Sequence, residues 1–320
     1  MILGIGISVG FGYLAFRSIS WQDVYEAVKK VQPGLLGASF LFLAVSVALS
    51  ARRWQLLIGR EEVHWLPTLA ALVVGLMVNN VLPGRLGEIA RAVFLGIRTA
   101  VSKVYLVGTV VADRLLDIAV LVLFALLLLM TSPAWSDMST AVLIAGGSLL
   151  LAGVGALLLM KWRGARWLVA PIASRLPVRL RGWVATAFGE LRAGLSKGRP
   201  WPVWLALSLL SVGVWSCMGA SLFLSLLAFG IHLPFWGVGI LLVVLNLGGL
   251  IPSSPGSMGT YHWLAVTTLG ALGIARAEAL SFALINHALW YIPQVIAGLV
   301  ILWRANLSAW ALSGEPRALR

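Results

Sequence analysis

Charged residues are scarce in this sequence, and their scarcity defines the broad class of the protein. Only 11% of the 320 residues are charged, whereas 60% are apolar. A soluble domain carries about 25% charged residues, so the composition excludes an ordinary soluble globular protein. The mean hydropathy is +0.96, and several runs reach the roughly 20 apolar residues that cross a bilayer. These features indicate a polytopic membrane protein.

Metal-binding and catalytic patterns are also lacking. The single cysteine, Cys217, excludes an intramolecular disulfide, and the four histidines stand apart from cysteines and from paired carboxylates. The sequence contains no nucleotide-binding loop, nucleophile elbow or soluble catalytic domain. We therefore expect no metal, no cofactor and no enzymatic activity, and an intramembrane enzyme is the least favoured hypothesis.

Acidic residues are fewer than basic residues, 11 against 24, which gives a net charge of +13. In a membrane protein such an excess reflects basic cytoplasmic loops rather than binding to nucleic acid. Residues 161–200 contain nine basic residues and one acid, Glu190, whereas residues 131–139 contain no basic residue. The sequence therefore predicts that 161–200 is cytoplasmic and that 131–139 lies outside. Both termini of this protein are then cytoplasmic, and we expect it in the plasma (inner) membrane.

The hydropathy pattern predicts an all-α fold with about six full spans and two shorter, interrupted apolar segments. The full spans are residues 1–16, 34–51, 104–130, 140–160, 201–229 and 277–303. The interrupted segments are 67–100 and 235–274, and residues 17–33 form an amphipathic helix in the membrane interface. The second span is expected to end with Arg52, Arg53 and Trp54 at the level of the headgroups. The whole chain, 1–320, forms a single integral membrane domain.

Each interrupted segment contains a similar break. Both breaks have the sequence Pro-Gly-x-apolar-Gly, formed by Pro83, Gly84 and Gly87 in the first segment and by Pro255, Gly256 and Gly259 in the second. The orientation of the loops is satisfied only if both segments return to the side from which they enter. We therefore predict two re-entrant helical hairpins that turn at these residues, the first from the cytoplasm and the second from outside. The resulting inverted repeats span about 34–130 and 201–303, joined by the span 140–160 and the basic segment 161–200.

Ionisable residues follow the first break. The free N–H groups at the start of a half-helix form a ready site for an anion, and Arg85, Glu88 and Arg91 lie at that position. The alternative is that Arg85 and Arg91 are interface charges that extend to lipid phosphates.

Three more ionisable residues lie deep in the longest predicted span. At 1.5 Å per residue, Asp113, Arg114 and Asp117 are about 15–20 Å from its cytoplasmic edge. Charges at this depth must face the protein interior and pair with one another. They either clamp this span to the first hairpin or contact the substrate directly.

Polar residues near the second break, with one before the first break, complete the candidate substrate site. These residues are Asn80, Asn246, Tyr261, His262, Asn286 and His287. Each histidine is either a polar group satisfied within the protein or a proton carrier. His287 is the better functional candidate because it lies in the middle of a span beside Asn286.

The sequence resembles the flippase-like transmembrane domain of the lysylphosphatidylglycerol synthase family, in a stand-alone form without the synthase domain. The resemblance covers nearly the whole chain and rests on Arg53-Trp54, Asn80-x-Leu82-Pro83-Gly84-Arg85-x-Gly87-Glu88-x-x-Arg91, Asp113-Arg114-x-x-Asp117, Ser254-Pro255-Gly256-x-x-Gly259-Thr260-Tyr261 and His287…Pro293…Gly298. It implies a multi-pass bacterial or archaeal membrane protein that moves lipids, or lipid-linked groups, between leaflets. Lipid aminoacylation is not implied. Many relatives have an acidic residue where this chain has Tyr261-His262, so the resemblance does not name the lipid.

Two functional hypotheses follow. The first is a flippase-like transporter in which Arg85, Arg91 and Arg114 hold an anionic headgroup, while the neighbouring acids balance charge or exchange protons. Its cargo would be an anionic phospholipid or a polyprenyl-phosphate-linked group. The alternative is a non-transporting, lipid-binding partner of an envelope glycosyltransferase or lipid-modifying enzyme. Assembly into a homo-oligomer is compatible with either hypothesis.

Overall fold

The computed structural model describes residues 2–16, 21–82, 86–131, 200–249 and 253–313, with five further residues between 186 and 193. These residues form ten α-helices and one short 3₁₀ turn, and they contain no β-strand. The helices are α1 (Ile2–Phe16), α2 (Trp21–Lys29), α3 (Pro33–Ile58), α4 (Trp65–Val81), α5 (Gly87–Thr99), α6 (Lys103–Thr131), α7 (Trp201–Ala228), α8 (Phe235–Gly248), α9 (Thr260–Ala271) and α10 (Arg276–Ser313). The 3₁₀ turn is Pro255–Ser257. The prediction of an all-α membrane protein is confirmed.

Several predicted features fall outside the described residues. They are the span 140–160, the loop 132–139, most of the basic segment 161–200, and the turn residues Pro83, Gly84 and Arg85. Elsewhere the predicted helix boundaries lie close to the observed ones, apart from the carboxyl ends of α3 and α10.

Proline and glycine set the ends of the helices in the first half. Proline is the first residue of α3, where its missing N–H costs nothing, and Gly59 ends the helix with a left-handed φ of 56°. Helix α4 ends at Leu82, whose extended backbone (φ −104°, ψ 144°) is the conformation favoured before a proline. The side chain of Asn79 then accepts a hydrogen bond of 2.8 Å from the backbone N–H of Gly87, a donor in the first turn of α5.

Length and apolar composition together distinguish α3, α7 and α10 from the other described helices. Three helical segments in the described part of the chain are long and apolar enough to cross a membrane: Pro33–Ile58, Trp201–Ala228 and Arg276–Ala305. Helices α4 and α8 are also apolar but contain only 17 and 14 residues. At 1.5 Å per residue they measure about 26 Å and 21 Å, less than the roughly 30 Å of a hydrocarbon core.

The helix contacts of one half of the chain are repeated in the other half. Helix α4 packs against α5 and α10, and its counterpart α8 packs against α9 and α6. Likewise α5 packs against α6, and α9 packs against α10. The counterparts α3 and α7 pack against each other, and the Ser39 hydroxyl donates a 2.8 Å hydrogen bond to the Ser221 carbonyl between them. One apolar core lies among α3, α5 and α6, and another among α7 to α10 with part of α6.

The prediction for the end of the second span is wrong for two of its three residues. Helix α3 continues to Ile58, and the side chains of Arg53 and Trp54 are completely buried in the protein rather than placed among headgroups. Arg53 turns inward because acidic side chains of α6 face it.

The first helix pair depends on two glycines that let the backbones of α4 and α5 approach. A Cβ on Gly75 would lie 2.8 Å from the carbonyl oxygen of Gly87 and 2.9 Å from the Cβ of Arg91. A Cβ on Gly87 would collide with the carbonyl oxygen of Gly75 and would lie 2.6 Å from Oδ1 of Asn79. Because backbone atoms are involved, side-chain movement alone cannot relieve these clashes.

We expect the substitution Gly87→Ala to destabilise the protein by about 1–3 kcal/mol, since it must separate α4 from α5. The matched control is Gly37→Ala in α3, where a Cβ would have no atom within 4 Å. This control should be neutral or stabilising by up to about 1 kcal/mol, because alanine is the better helix former. Thermal unfolding of the detergent-solubilised protein measures both changes. Equal melting temperatures for the two variants would contradict the close packing described.

Candidate functional site

Six ionisable residues from three helices form one connected group, named here the charge cluster. Its members are Arg53 from α3, Glu88 and Arg91 from α5, and Asp113, Arg114 and Asp117 from α6. Three arginines balance three acids, so the charge cluster is formally neutral. The helical spacing of Glu88 with Arg91, and of Arg114 with Asp117, places each of these pairs on one helix face.

The carboxylate of Asp113 lies at the centre of the charge cluster and is completely buried. Arg53 donates from Nε to Oδ1 at 2.9 Å, and its Nη2 lies 2.8 Å from the same oxygen. The other oxygen, Oδ2, lies 3.2 Å from Nη1 of Arg91 and 3.2 Å from Nη2 of Arg114. Three guanidinium groups thus surround one carboxylate, and the interaction ties α6 to both α3 and α5.

The other two acids lie further out. Asp117 pairs with Arg53 at 2.7 Å and with Arg114 at 3.2 Å. Glu88 pairs with Arg91 at 2.7 Å, and its other oxygen is 3.7 Å from Arg114. Unlike the side chain of Asp113, those of the outer residues are partly exposed: 14% for Asp117, 27% for Glu88 and 41% for Arg114. The charge cluster therefore has a sealed inner part and an accessible outer part.

Uncharged side chains pack around the buried arginines of the inner part. Arg53 also donates from Nη1 to the Ser211 hydroxyl on α7 at 3.2 Å. The guanidinium of Arg91 lies over the ring of Trp54, 4.8 Å from its centroid. The indole N–H of Trp54 donates in turn to the hydroxyl of Thr109 at 3.0 Å. The buried arginines are thus held by packing as well as by charge.

The outer part of the charge cluster faces a cavity of about 370 Å³. Its walls come from both halves of the chain. The first half contributes α3, α4, α5 and α6. The second half contributes α7, α8, α9, α10 and the break at residues 255–259, named here the second turn. The predicted site residues that line it are Asn80, Glu88, Arg114, Asp117, Asn246, Tyr261, Asn286 and the turn residue Gly256. Those that lie outside its lining are Arg91, Asp113, His262 and His287, together with the turn residues Gly87, Pro255 and Gly259. Arg85 is outside the described residues.

The two histidines hold the second turn, in a hydrogen-bond arrangement that fixes their tautomers. Nε2 of His287 lies 3.0 Å from the carbonyl oxygen of Gly256, which can only accept, so Nε2 carries the proton. Nδ1 of neutral His287 then accepts from Nε2 of His262 at 3.4 Å. Nδ1 of His262 accepts from the backbone N–H of Gly259 at 3.4 Å. All four ring nitrogens are thus satisfied within the protein with both rings neutral.

The second turn requires glycine at the two positions where its sequence has one, Gly256 and Gly259. Gly256 and Gly259 have φ values of 64° and 85°, in the region that only glycine occupies at low cost. A Cβ on Gly256 would also meet the ring of Tyr291, which crowds this turn. These constraints account for both glycines of the second Pro-Gly-x-apolar-Gly break.

Side chains of α10 connect the second turn with the end of α4. The hydroxyl of Tyr291 donates to the carbonyl oxygen of Asn80 at 3.2 Å, and Asn80 donates from Nδ2 to Oε1 of Gln294 at 3.1 Å. Helix α4 also packs directly against the second turn. The ends of the two interrupted segments therefore lie side by side at the cavity.

Sequence reasoning missed several residues of the site. Arg53 belongs to the charge cluster, and the signal for it was its place in the Arg53-Trp54 stretch of the family resemblance. Gln294 lines the cavity, and a glutamine inside an apolar span is itself a sign of a polar interior position. Trp215 also lines the cavity, but nothing distinguishes it in sequence from the other 14 tryptophans.

Apolar helices that pack a buried, balanced charge cluster against a polar cavity define a polytopic helical membrane protein. Comparison with known proteins narrows this class. The chain belongs to the family described as the lysylphosphatidylglycerol synthase TM region, whose model matches residues 1–298. It is also similar to a UPF0104 membrane protein of Methanothermobacter thermautotrophicus, at 24% identity over 324 residues, covering 94% of this chain and 89% of that protein. No solved structure matches the chain. The predicted family membership is confirmed.

We expect the substitution Arg53→Met to destabilise the protein by about 3–5 kcal/mol, because it leaves buried acids without their partner. The matched control is Lys29→Met, which breaks the exposed pair of Lys29 with Glu26 at 3.0 Å and should cost no more than about 1 kcal/mol. Adding Asp117→Leu to Arg53→Met restores neutrality and should recover part of the loss. Chemical unfolding in detergent measures all three. A double variant less stable than Arg53→Met would contradict the charge balance.

Proposed function

We propose that the protein is a flippase-like lipid transporter, which carries the headgroup of a membrane lipid between leaflets through the cavity. One observation carries the proposal: a cavity that charged, amide and hydroxyl groups line together with apolar side chains lies between the two interrupted helix pairs of an otherwise apolar helical chain. Its volume of about 370 Å³ is within the range of roughly 300–1,000 Å³ that small-molecule sites occupy. The acyl chains would remain in the bilayer while the headgroup crosses. The proposal assigns no catalytic step to the chain.

The position of the arginines refines the anion-binding hypothesis. Arg91 is 2% exposed and engaged with Glu88 and Asp113, so it supports the cavity wall from behind. Arg114 is the arginine that lines the cavity among the described residues. Of the arginines assigned to the headgroup, Arg114 is therefore the one that a headgroup in the cavity would meet, and the rest of the headgroup would meet amides and hydroxyls.

We further propose that each interrupted helix pair is a re-entrant hairpin, and that the two hairpins enter from opposite faces of the plasma membrane. The short lengths of α4 and α8 support this arrangement. So does the repetition of helix contacts between the two halves, which is expected of an internal repeat around a central site. Both termini would then be cytoplasmic.

A non-transporting role as the lipid-binding partner of an envelope enzyme is the second candidate. The observation in its favour is that every member of the charge cluster is paired within the chain, as in a sealed scaffold. The cavity between the helix pairs favours transport, because a scaffold needs no polar space that extends from one half to the other.

Cysteine labelling tests the re-entrant hairpins. After Cys217→Ala, single cysteines at Glu61 and Ala100 flank the first pair, and cysteines at His232 and Ala275 flank the second; all four positions are exposed. An impermeant thiol reagent applied to sealed vesicles should label Glu61→Cys and Ala100→Cys from one face. It should label His232→Cys and Ala275→Cys from the opposite face. Labelling of the two flanks of one pair from different faces would show an ordinary full crossing and overturn the proposal.

Filling the cavity should block transport. Asn246 on α8 lines the cavity, so we expect Asn246→Trp to reduce the transbilayer movement of fluorescent phosphatidylglycerol at least tenfold. The matched control is Val244→Trp on the same helix, outside the cavity lining, which should keep the wild-type rate. Dithionite quenching in proteoliposomes measures the rate. Wild-type movement no faster than in protein-free liposomes, or equal rates for the wild type and Asn246→Trp, would contradict the proposed route.

A further inference from the structure

Two uncharged polar groups in the cavity wall are buried and have no partner in the described part of the chain. Trp215 on α7 is 4% exposed and Thr260 on α9 is 1% exposed, and both residues line the cavity. The indole Nε1 of Trp215 and the Oγ1 of Thr260 have no hydrogen-bond partner among the described residues. Buried polar groups are nearly always hydrogen-bonded, so each exception needs an explanation. A ligand in the cavity that forms a hydrogen bond with each group would explain both exceptions.

The charges of the wall do not favour a simple anion. Among the described lining residues, the charged ones are Glu88, Arg114 and Asp117. Arg114 is already engaged, at 3.2 Å from Oδ2 of Asp117 and 3.7 Å from Oε1 of Glu88. An anion at Arg114 would compete with two carboxylates and would be repelled by both.

The rest of the polar wall is neutral. The amides of Asn246 and Asn286 and the hydroxyls of Ser257 and Tyr261 line the cavity with Thr260. Amides and hydroxyls both donate and accept, and a hydroxyl-bearing ligand matches them because its own groups do the same. By the alignment of the two breaks, Thr260 and Ser257 take the places of Glu88 and Arg85, so the second half is neutral where the first is charged.

We propose that the cavity binds the neutral, hydroxyl-rich headgroup of a lipid, such as a sugar or another polyol. Trp215 donates its indole N–H to a headgroup oxygen, and the hydroxyl of Thr260 exchanges a hydrogen bond with a headgroup hydroxyl. This inference rests on the proposed function, in which a lipid headgroup occupies the cavity. It adds the chemical class of that headgroup.

Binding measured without transport tests the inference separately from the proposed function. The full chain in phosphatidylcholine nanodiscs is titrated with two short-chain probes, glucosyl-dioctanoylglycerol and dioctanoyl phosphatidate. We expect the glucosyl lipid to bind at least tenfold more tightly than phosphatidate. Thr260→Val keeps the shape of the side chain and removes its hydroxyl, and Trp215→Phe keeps an aromatic ring and removes the indole N–H. Each substitution should weaken the binding of the glucosyl lipid about three- to tenfold, which is the effect of losing one neutral hydrogen bond.

Two matched controls separate the cavity from the rest of the protein. Ser225→Ala removes another buried hydroxyl of α7 that has no partner among the described residues, but Ser225 does not line the cavity. Thr268→Val makes on α9 the same change as Thr260→Val, away from the cavity. Both controls should bind the glucosyl lipid like the wild type. Thr260→Val should melt no lower than the wild type, since it removes an unpaired buried hydroxyl without changing the side-chain volume.

Phosphatidate binding as tight as that of the glucosyl lipid would overturn the inference. So would unchanged glucosyl-lipid binding in both Thr260→Val and Trp215→Phe. Selective glucosyl-lipid binding in a protein that moves no lipid would uphold the headgroup class and reject the transporter. Transport of phosphatidylglycerol without selective binding of the glucosyl lipid would uphold the transporter and reject the headgroup class.

Discussion

The Asp113 carboxylate is completely buried in an apolar helical protein, and guanidinium groups of Arg53, Arg91 and Arg114 surround it. An isolated charge at the centre of a membrane costs at least ~2.5 kcal/mol, so these groups must stay together once the helices assemble. Because Arg53 lies on α3 and Arg91 on α5, this requirement fixes the positions of two helices relative to α6. The close approach of α4 to α5 at Gly75 and Gly87 then positions α4 as well.

The charge cluster also determines the character of the cavity. Its inner residues pair with one another and with the outer acids, so that the charge cluster as a whole is a neutral support. Its outer residues, Glu88, Arg114 and Asp117, reach the cavity but remain paired. The wall therefore presents dipoles and an ionic edge of two acids and one arginine rather than an excess of positive charge. The sequence leaves clamping and substrate contact as alternatives for the group on α6; in the structure Asp113 ties α6 to α3 and α5, whereas Arg114 and Asp117 line the cavity.

The elements that sequence reasoning placed well are those with a local cause. Pro83 forces Leu82 out of the helix, the glycines near Pro255 permit left-handed backbone, and helical spacing brings Arg114 to Asp117. The positions of the elements that it misplaced depend on residues that are remote in sequence. Hydropathy assigned Arg53 to the headgroups because a span usually ends at arginine. Only the facing acids of α6, 60 residues away, keep it inside. Trp215 was missed for the same reason, since the helices that make the cavity are remote in sequence.

The two halves share a packing scheme but differ in the chemistry at the contact between corresponding helices. Where α5 meets α6, buried charges hold the pair; where α9 meets α10, neutral hydrogen bonds do so. On that neutral side, Nδ2 of Asn286 donates to the hydroxyl of Tyr261 at 2.6 Å, and His262 and His287 share a hydrogen bond. A neutral contact separates at lower electrostatic cost than a charged one, since no unpaired charge is left in a medium of low dielectric constant. In the transporter proposed above, separating α9 from α10 would therefore cost less electrostatic energy than opening the charge cluster between α5 and α6.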